Sequence, residues 1–109
     1  MSTGLGEFEQ IVLLAILRLG KEAYGVTIGA EIAACTLRTP SPGALYTTLD
    51  RLEEKGLVTS RLGDPTPRRG GRAKRFFTVT KAGIAAVKSA QLAHRSLLAG
   101  LKLLGADHA

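Results

Sequence analysis

Residues 61–80 read RLGDPTPRRGGRAKRFFTVT, and the fold turns on how this stretch is read. Pro65, Pro67, Gly70 and Gly71 do not suit a central strand, so they mark a loop from Gly63 to Arg72. On either side lie two short strands, about Leu57–Leu62 and Lys74–Val79. Six of the fifteen Lys and Arg fall between Arg61 and Arg75, against the single acid Asp64. That window carries +5 of the chain's +6, and the remainder is nearly neutral with nine bases against eight acids. The positive charge is therefore a local device, placed at the tip of a hairpin. Along the second strand, alternation turns Phe77 and Val79 inward and leaves Phe76 half exposed.

Upstream, RTPSPGALYTTLDRLEEKGLV reads as a helix entering that hairpin. Ser41 is the N-cap and Pro42 fits the first helical position, where a missing N–H costs nothing. Leu45, Leu49 and Leu52 form a narrow apolar seam and Gly56 ends the helix. Before it, FEQIVLLAILRL (residues 8–19) is apolar on almost every face and needs covering on more than one side, with Gly20 as its stop. A second helix spans about Tyr24–Cys35, with Tyr24, Ile28, Ile32 and Cys35 on one face. After the hairpin, Thr80 caps a last helix extending to about Leu104, roughly 36 Å at 1.5 Å per residue. The order is helix, helix, helix, strand, basic loop, strand, long helix. The expected class is mainly α with a small β-hairpin (α+β): a winged helix-turn-helix domain over residues 1–79, then a C-terminal dimerisation helix and tail over 80–109.

The chain of 109 residues has the size of one domain and an ordinary globular composition, 45% apolar and 22% charged. A sequence pI of about 10.0 favours an anionic partner. No segment approaches the roughly 18–20 apolar residues that span a bilayer. The acidic GLGEFEQ before IVLLAILRLG is unlike a signal peptide, and one cysteine fits a reducing cytoplasm. No cofactor or metal is expected: His94 and His108 lack ligand partners at suitable spacing, and Cys35 on its apolar face reads as a small hydrophobe. There is no Walker loop, paired-carboxylate pocket or Ser/His/Asp set, so no enzyme is read here.

AYGVTIGAEI, GALYTTLDRLEEKGLV and GGRAKRFFTVTKAG, in this order and spacing over residues 7–88, resemble the PadR family of bacterial transcriptional regulators. The short C-terminal part resembles its compact branch with a single dimerisation helix. The resemblance implies a dimeric regulator, commonly a repressor, whose C-terminal helices pair. It also implies that a small-molecule effector is a partner to consider, held between subunits. The absence of Trp departs from stacking of a flat drug in that groove.

In a helix-turn-helix, the second helix of the motif enters the major groove by its N-terminal end. With Leu45 at 0°, Gly43 falls at about 160°, Thr47 at about 200°, Asp50 at about 140° and Arg51 at about 240°. These face away from the leucine seam. The candidate groove residues are Ser41, Pro42, Gly43, Tyr46, Thr47 and Arg51. Free N–H groups after Ser41 favour a phosphate at the helix start. Tyr46 is either a phosphate contact through its hydroxyl or a boundary residue under the wing. Thr48 sits nearer the seam, and solvent exposure is its bland reading. Asp50 either reads a cytosine amino group or, more simply, holds Arg51 or Lys55. Candidate wing contacts are Arg68, Arg69, Arg72 and Lys74; the bland alternative is a solvated loop. For dimerisation the candidates are Leu14, Leu17, Leu97, Leu98, Leu101 and Leu104, since beyond residue 90 the last helix is more apolar than a small domain can cover. A helix packed back on its own chain is the alternative.

The leading expectation is a homodimer on double-stranded DNA carrying an inverted repeat. A winged-helix module that binds protein, and a basic module without operator specificity, are the competing readings.

Overall fold

The computed structural model describes residues 4–63 and 73–101. Helix α1 runs Glu7–Leu19, and a short 3-10 turn over Gly20–Glu22 leads into α2, Gly25–Cys35. Helix α3 is Pro42–Glu54, followed by strands β1, Val58–Leu62, and β2, Arg75–Val79, and then α4, Lys81–Leu98.

Helix α3 begins where capping chemistry requires. The Ser41 hydroxyl accepts the Ala44 N–H at 3.1 Å, and Pro42 occupies the first turn. Leu45, Leu49 and Leu52 are buried as the seam predicts. Thr48 is also buried, a correction to its expected exposure. At about 300° it lies beside the leucine seam, so the buried stripe is wider than the leucines alone indicate. Gly56, at φ 77°, adopts the left-handed conformation that lets the chain turn from α3 into β1.

The hairpin is antiparallel, with Val58 opposite Val79, Ser60 opposite Phe77 and Leu62 opposite Arg75. Phe77 and Val79 point inward as expected, 1% and 8% exposed. A feature without a sequence signal extends this sheet. The Phe77 N–H donates to Ala23 O at 2.8 Å and Tyr24 bridges Phe76, so the link before α2 runs as a third edge beside β2. Phe77 thus joins Leu13 and Ile16 of α1, Ile28 and Ile32 of α2, Leu49 and Leu52 of α3 and Val58 of β1 in one buried cluster.

The Thr80–Gly83 corner ties α4 to this core. The Thr80 N–H donates to Leu57 O at 2.9 Å, its hydroxyl donates to Gly56 O at 2.8 Å, and the same oxygen accepts the Gly83 N–H at 3.0 Å. A Cβ at position 83 would collide with the Leu57 carbonyl, which is why the turn needs Gly there.

Two expectations are corrected. Helix α4 ends at Leu98, not near Leu104, because Gly100 at φ 82° turns the backbone out of the helix. Its length is therefore about 27 Å. Leu101 follows the helix, and Leu104 lies outside the described residues, as does His108. Cys35 is exposed, not buried with Ile28 and Ile32. The last turn of α2 overruns the core, and the Cys35 thiol donates to Glu31 Oε2 at 3.4 Å, beside the Arg18–Glu31 ion pair. The carboxyl of Glu31 is held below its ordinary range by the hydrogen bond from Arg18, then by that from Cys35.

Candidate nucleic-acid interface

With its leucines turned into the core, α3 exposes Ser41, Pro42, Gly43, Tyr46, Thr47, Asp50 and Arg51 to solvent. Nothing lies within 4 Å of where a Gly43 side chain would begin, so the N-terminal end of the helix is open. Tyr46 is a boundary residue where α3 meets α2. Its ring and hydroxyl lie over Gly25, where any Cβ would overlap them, and its side chain stays 39% exposed. The missing side chain at the first residue of α2 is what lets the two helices of the motif meet at this point.

The outer face of the hairpin gathers cations on aromatic rings. Lys74 Nζ sits 4.6 Å from the Tyr24 ring centre, and the Arg61 guanidinium 4.8 Å from that of Phe76. Tyr24 and Phe76 meet edge to face, with centroids 5.4 Å apart. Phe76 is half buried as expected, and its role is to carry Arg61 and brace Tyr24. Tyr24 and Gly25 are adjacent, so Lys74 and Tyr46 are held at one end of α2. The structure thus brings Lys74, at the base of the hairpin loop, to the end of α2 on which α3 packs. The other wing candidates, Arg68, Arg69 and Arg72, lie outside the described residues.

Charge on the two flanks of α3 is fixed by long-range pairs. Asp50 holds neither Arg51 nor Lys55: its Oδ1 accepts Arg75 at 3.2 Å. Lys55 turns to the opposite flank and donates to both carboxylate oxygens of Glu9 on α1, at 3.1 and 2.9 Å. Burial of Glu9 works against its ionisation, yet the Gly6 N–H at 2.9 Å, the Lys55 ammonium and the charge of Arg51 outweigh it. Its carboxyl is held below the usual range.

At the far side, Leu14 and Leu17 of α1 and Leu92, Leu97 and Leu98 of α4 are all exposed, as is Leu101. Leu14 and Leu98 share one cleft between the two helices, together with Gln10, Gln91 and His94. In α4 only Gly83 and Val87 are buried, both in its first half. Among the described residues, no helix is long and apolar enough to cross a membrane.

Sequence reasoning missed Tyr24, Arg61 and Gly25 as parts of this surface. The available signal was the pairing of an aromatic residue with a small one, Tyr24 and Gly25, at the start of α2.

Comparison with known proteins agrees with the fold. The sequence model of the Transcriptional regulator PadR-like family matches residues 13–89. The protein named Transcriptional regulator Rv3488, from Mycobacterium tuberculosis, is 41% identical over 68 residues. That match takes in 61% of this chain and spans 57% of the relative's length. Among solved structures, a PadR family transcription regulator from Clostridium difficile superposes with a TM-score of 0.66 at 20% identity, covering 83% of this chain and 90% of its own. A PadR family regulator from Eggerthella lenta superposes with a TM-score of 0.65 at 23% identity, covering 86% and 81%. The shared fold is the winged helix.

Proposed function

Because this chain belongs to the PadR-like family of transcriptional regulators, we propose that it is a homodimeric repressor that binds an inverted-repeat operator. The observation that carries this reading is the open polar face of α3. Gly43, Thr47 and Arg51 are exposed around an unobstructed N-terminal end, beside the base of a hairpin whose loop holds Arg68, Arg69 and Arg72. Thr47 and Arg51 read base edges in the major groove, while Ser41 and the first turn of α3 meet a phosphate. Tyr46 flanks that contact. The wing arginines and Lys74 supply the sequence-independent part of the affinity.

The exposed leucines of α1 and α4 support pairing with a second copy about a two-fold axis. A two-fold dimer sets the half-sites about 34–36 Å apart, one turn of DNA. Arg68, Arg69 and Arg72 replaced together by Ala should weaken binding to all duplexes about equally. The slope of log affinity against log salt should flatten by roughly 0.9 per lost phosphate contact. An unchanged slope in this variant would remove the wing from the interface.

A further inference from the structure

Arg75 closes the basic run of residues 61–80, yet its side chain is turned into the protein. Its Nε donates to Ser60 Oγ at 3.2 Å, one terminal nitrogen to Asp50 Oδ1 at 3.2 Å and the other to Glu53 Oε1 at 2.5 Å. Ser60 in turn donates to Glu53 Oε2 at 2.9 Å, which closes a ring between β1, β2 and α3. The guanidinium also lies 4.8 Å from the ring centre of Phe77, a core residue, so its plane is fixed as well as its donors. Its side chain is only 34% exposed.

The placement of the two acids gives this ring a purpose. On α3, Asp50 and Glu53 fall at about 140° and 80° from the leucine seam, on the flank that faces the hairpin. A helix meant to approach phosphates carries a penalty from two unpaired carboxylates there. Arg75 halves their combined charge and does so from the wing strand.

We propose that Arg75 is a positioning residue: by bridging Asp50 and Glu53 to Ser60, it fastens the wing to the recognition helix and screens the helix's own carboxylates from DNA. This rests on the DNA-binding reading above. Helix and wing then meet the duplex as one rigid unit. Lysine cannot substitute, because a single ammonium does not fork to three separated oxygens in one plane.

The test is a mutant cycle with two readouts. Arg75→Ala, Arg75→Lys, the pair Asp50→Asn with Glu53→Gln, and that pair combined with Arg75→Ala are compared. Affinity is read by fluorescence anisotropy on a duplex selected by the wild-type protein, over a salt series. The DNA-free readout is amide hydrogen exchange along β2, with far-ultraviolet circular dichroism confirming that each variant is folded. Arg75→Ala should lose roughly tenfold to a hundredfold in affinity, and Arg75→Lys should lose nearly as much although it keeps the charge. Adding the two neutral substitutions to Arg75→Ala should recover most of the loss. Full activity of Arg75→Lys, with a salt slope lowered by about 0.9 in Arg75→Ala, would make Arg75 a plain phosphate contact and overturn the proposal. Additive effects around the cycle would overturn it too. If the wild-type protein binds no duplex, the DNA reading itself fails. The clamp then stands or falls on exchange alone: Arg75→Ala should speed exchange in β2 in the wild-type background and change little once Asp50 and Glu53 are neutral.

Discussion

Helices α3 and α4 bury their apolar residues to very different extents. In α3, Leu45, Thr48, Leu49 and Leu52 are buried within thirteen residues, and the outward face is polar. In α4, Gly83 and Val87 are the buried residues of eighteen, while Leu92, Leu97 and Leu98 stay exposed. One helix has its hydrophobic requirement met by its own chain, so its other face is free for a charged ligand. The other lacks apolar cover for its second half and requires it from elsewhere. Surface burial contributes about 25 cal/mol per Å² of apolar area, which makes an uncovered row of leucines a strong drive towards association. The proposed division of labour, DNA on α3 and a second copy on α4, rests on where the core ends.

The comparison is broken most severely by charging the uncovered face. Leu97→Glu with Leu98→Glu should convert the proposed dimer to monomer in sedimentation while leaving thermal unfolding of the monomer nearly unchanged. Operator affinity should fall roughly 10²–10⁴-fold, because two tethered half-site contacts become independent ones. The reverse pattern is expected on α3. Leu49, fully buried, when changed to Ala should cost about 2–5 kcal/mol in denaturant unfolding without altering the oligomeric state of the protein that remains folded.

A smaller effect tests how α3 is anchored to α1. The Glu9 carboxyl is favoured as the anion in the folded chain, so its stabilising contribution is complete above the unfolded value near 4.5. It is lost as pH falls through the lower folded value. Glu9→Gln should cost roughly 1–3 kcal/mol at neutral pH, and the difference from wild type should shrink as the carboxyl protonates below its ordinary range. Smallest in stability is Thr47→Ala on the free polar face of α3. It should leave unfolding within about 0.5 kcal/mol of wild type while changing the ranking of operators in competition binding.

Most of α3 and the hairpin was legible in the sequence because their signals are local. Ser41-Pro42, the leucine spacing, Gly56 and the prolines and glycines of the loop each act within a few residues. Pairs such as Arg75 with Asp50 and Glu53, or Lys55 with Glu9, were not legible. They join residues 46 or fewer positions apart whose proximity exists only once the helices pack. The edge formed by Ala23 and Tyr24 was hidden because a single bridge has no periodicity. Cys35 was misplaced since helical phase alone does not say where the covering elements stop. For α4 the stop signal was present in Gly100, but the continuing leucines outweighed it. Of the candidate interface, the residues on α3 could be named from their phase and the face of Arg75 from its alternation with Phe77, whereas Tyr24, Arg61 and the partners of Arg75 depended on the hairpin's packing.

The account is tested most directly by selecting duplexes from a random library at physiological salt and sequencing what binds. One inverted repeat with half-sites a single helical turn apart is the predicted result. Tight, salt-sensitive binding with no recovered motif, or no binding at all, would contradict it.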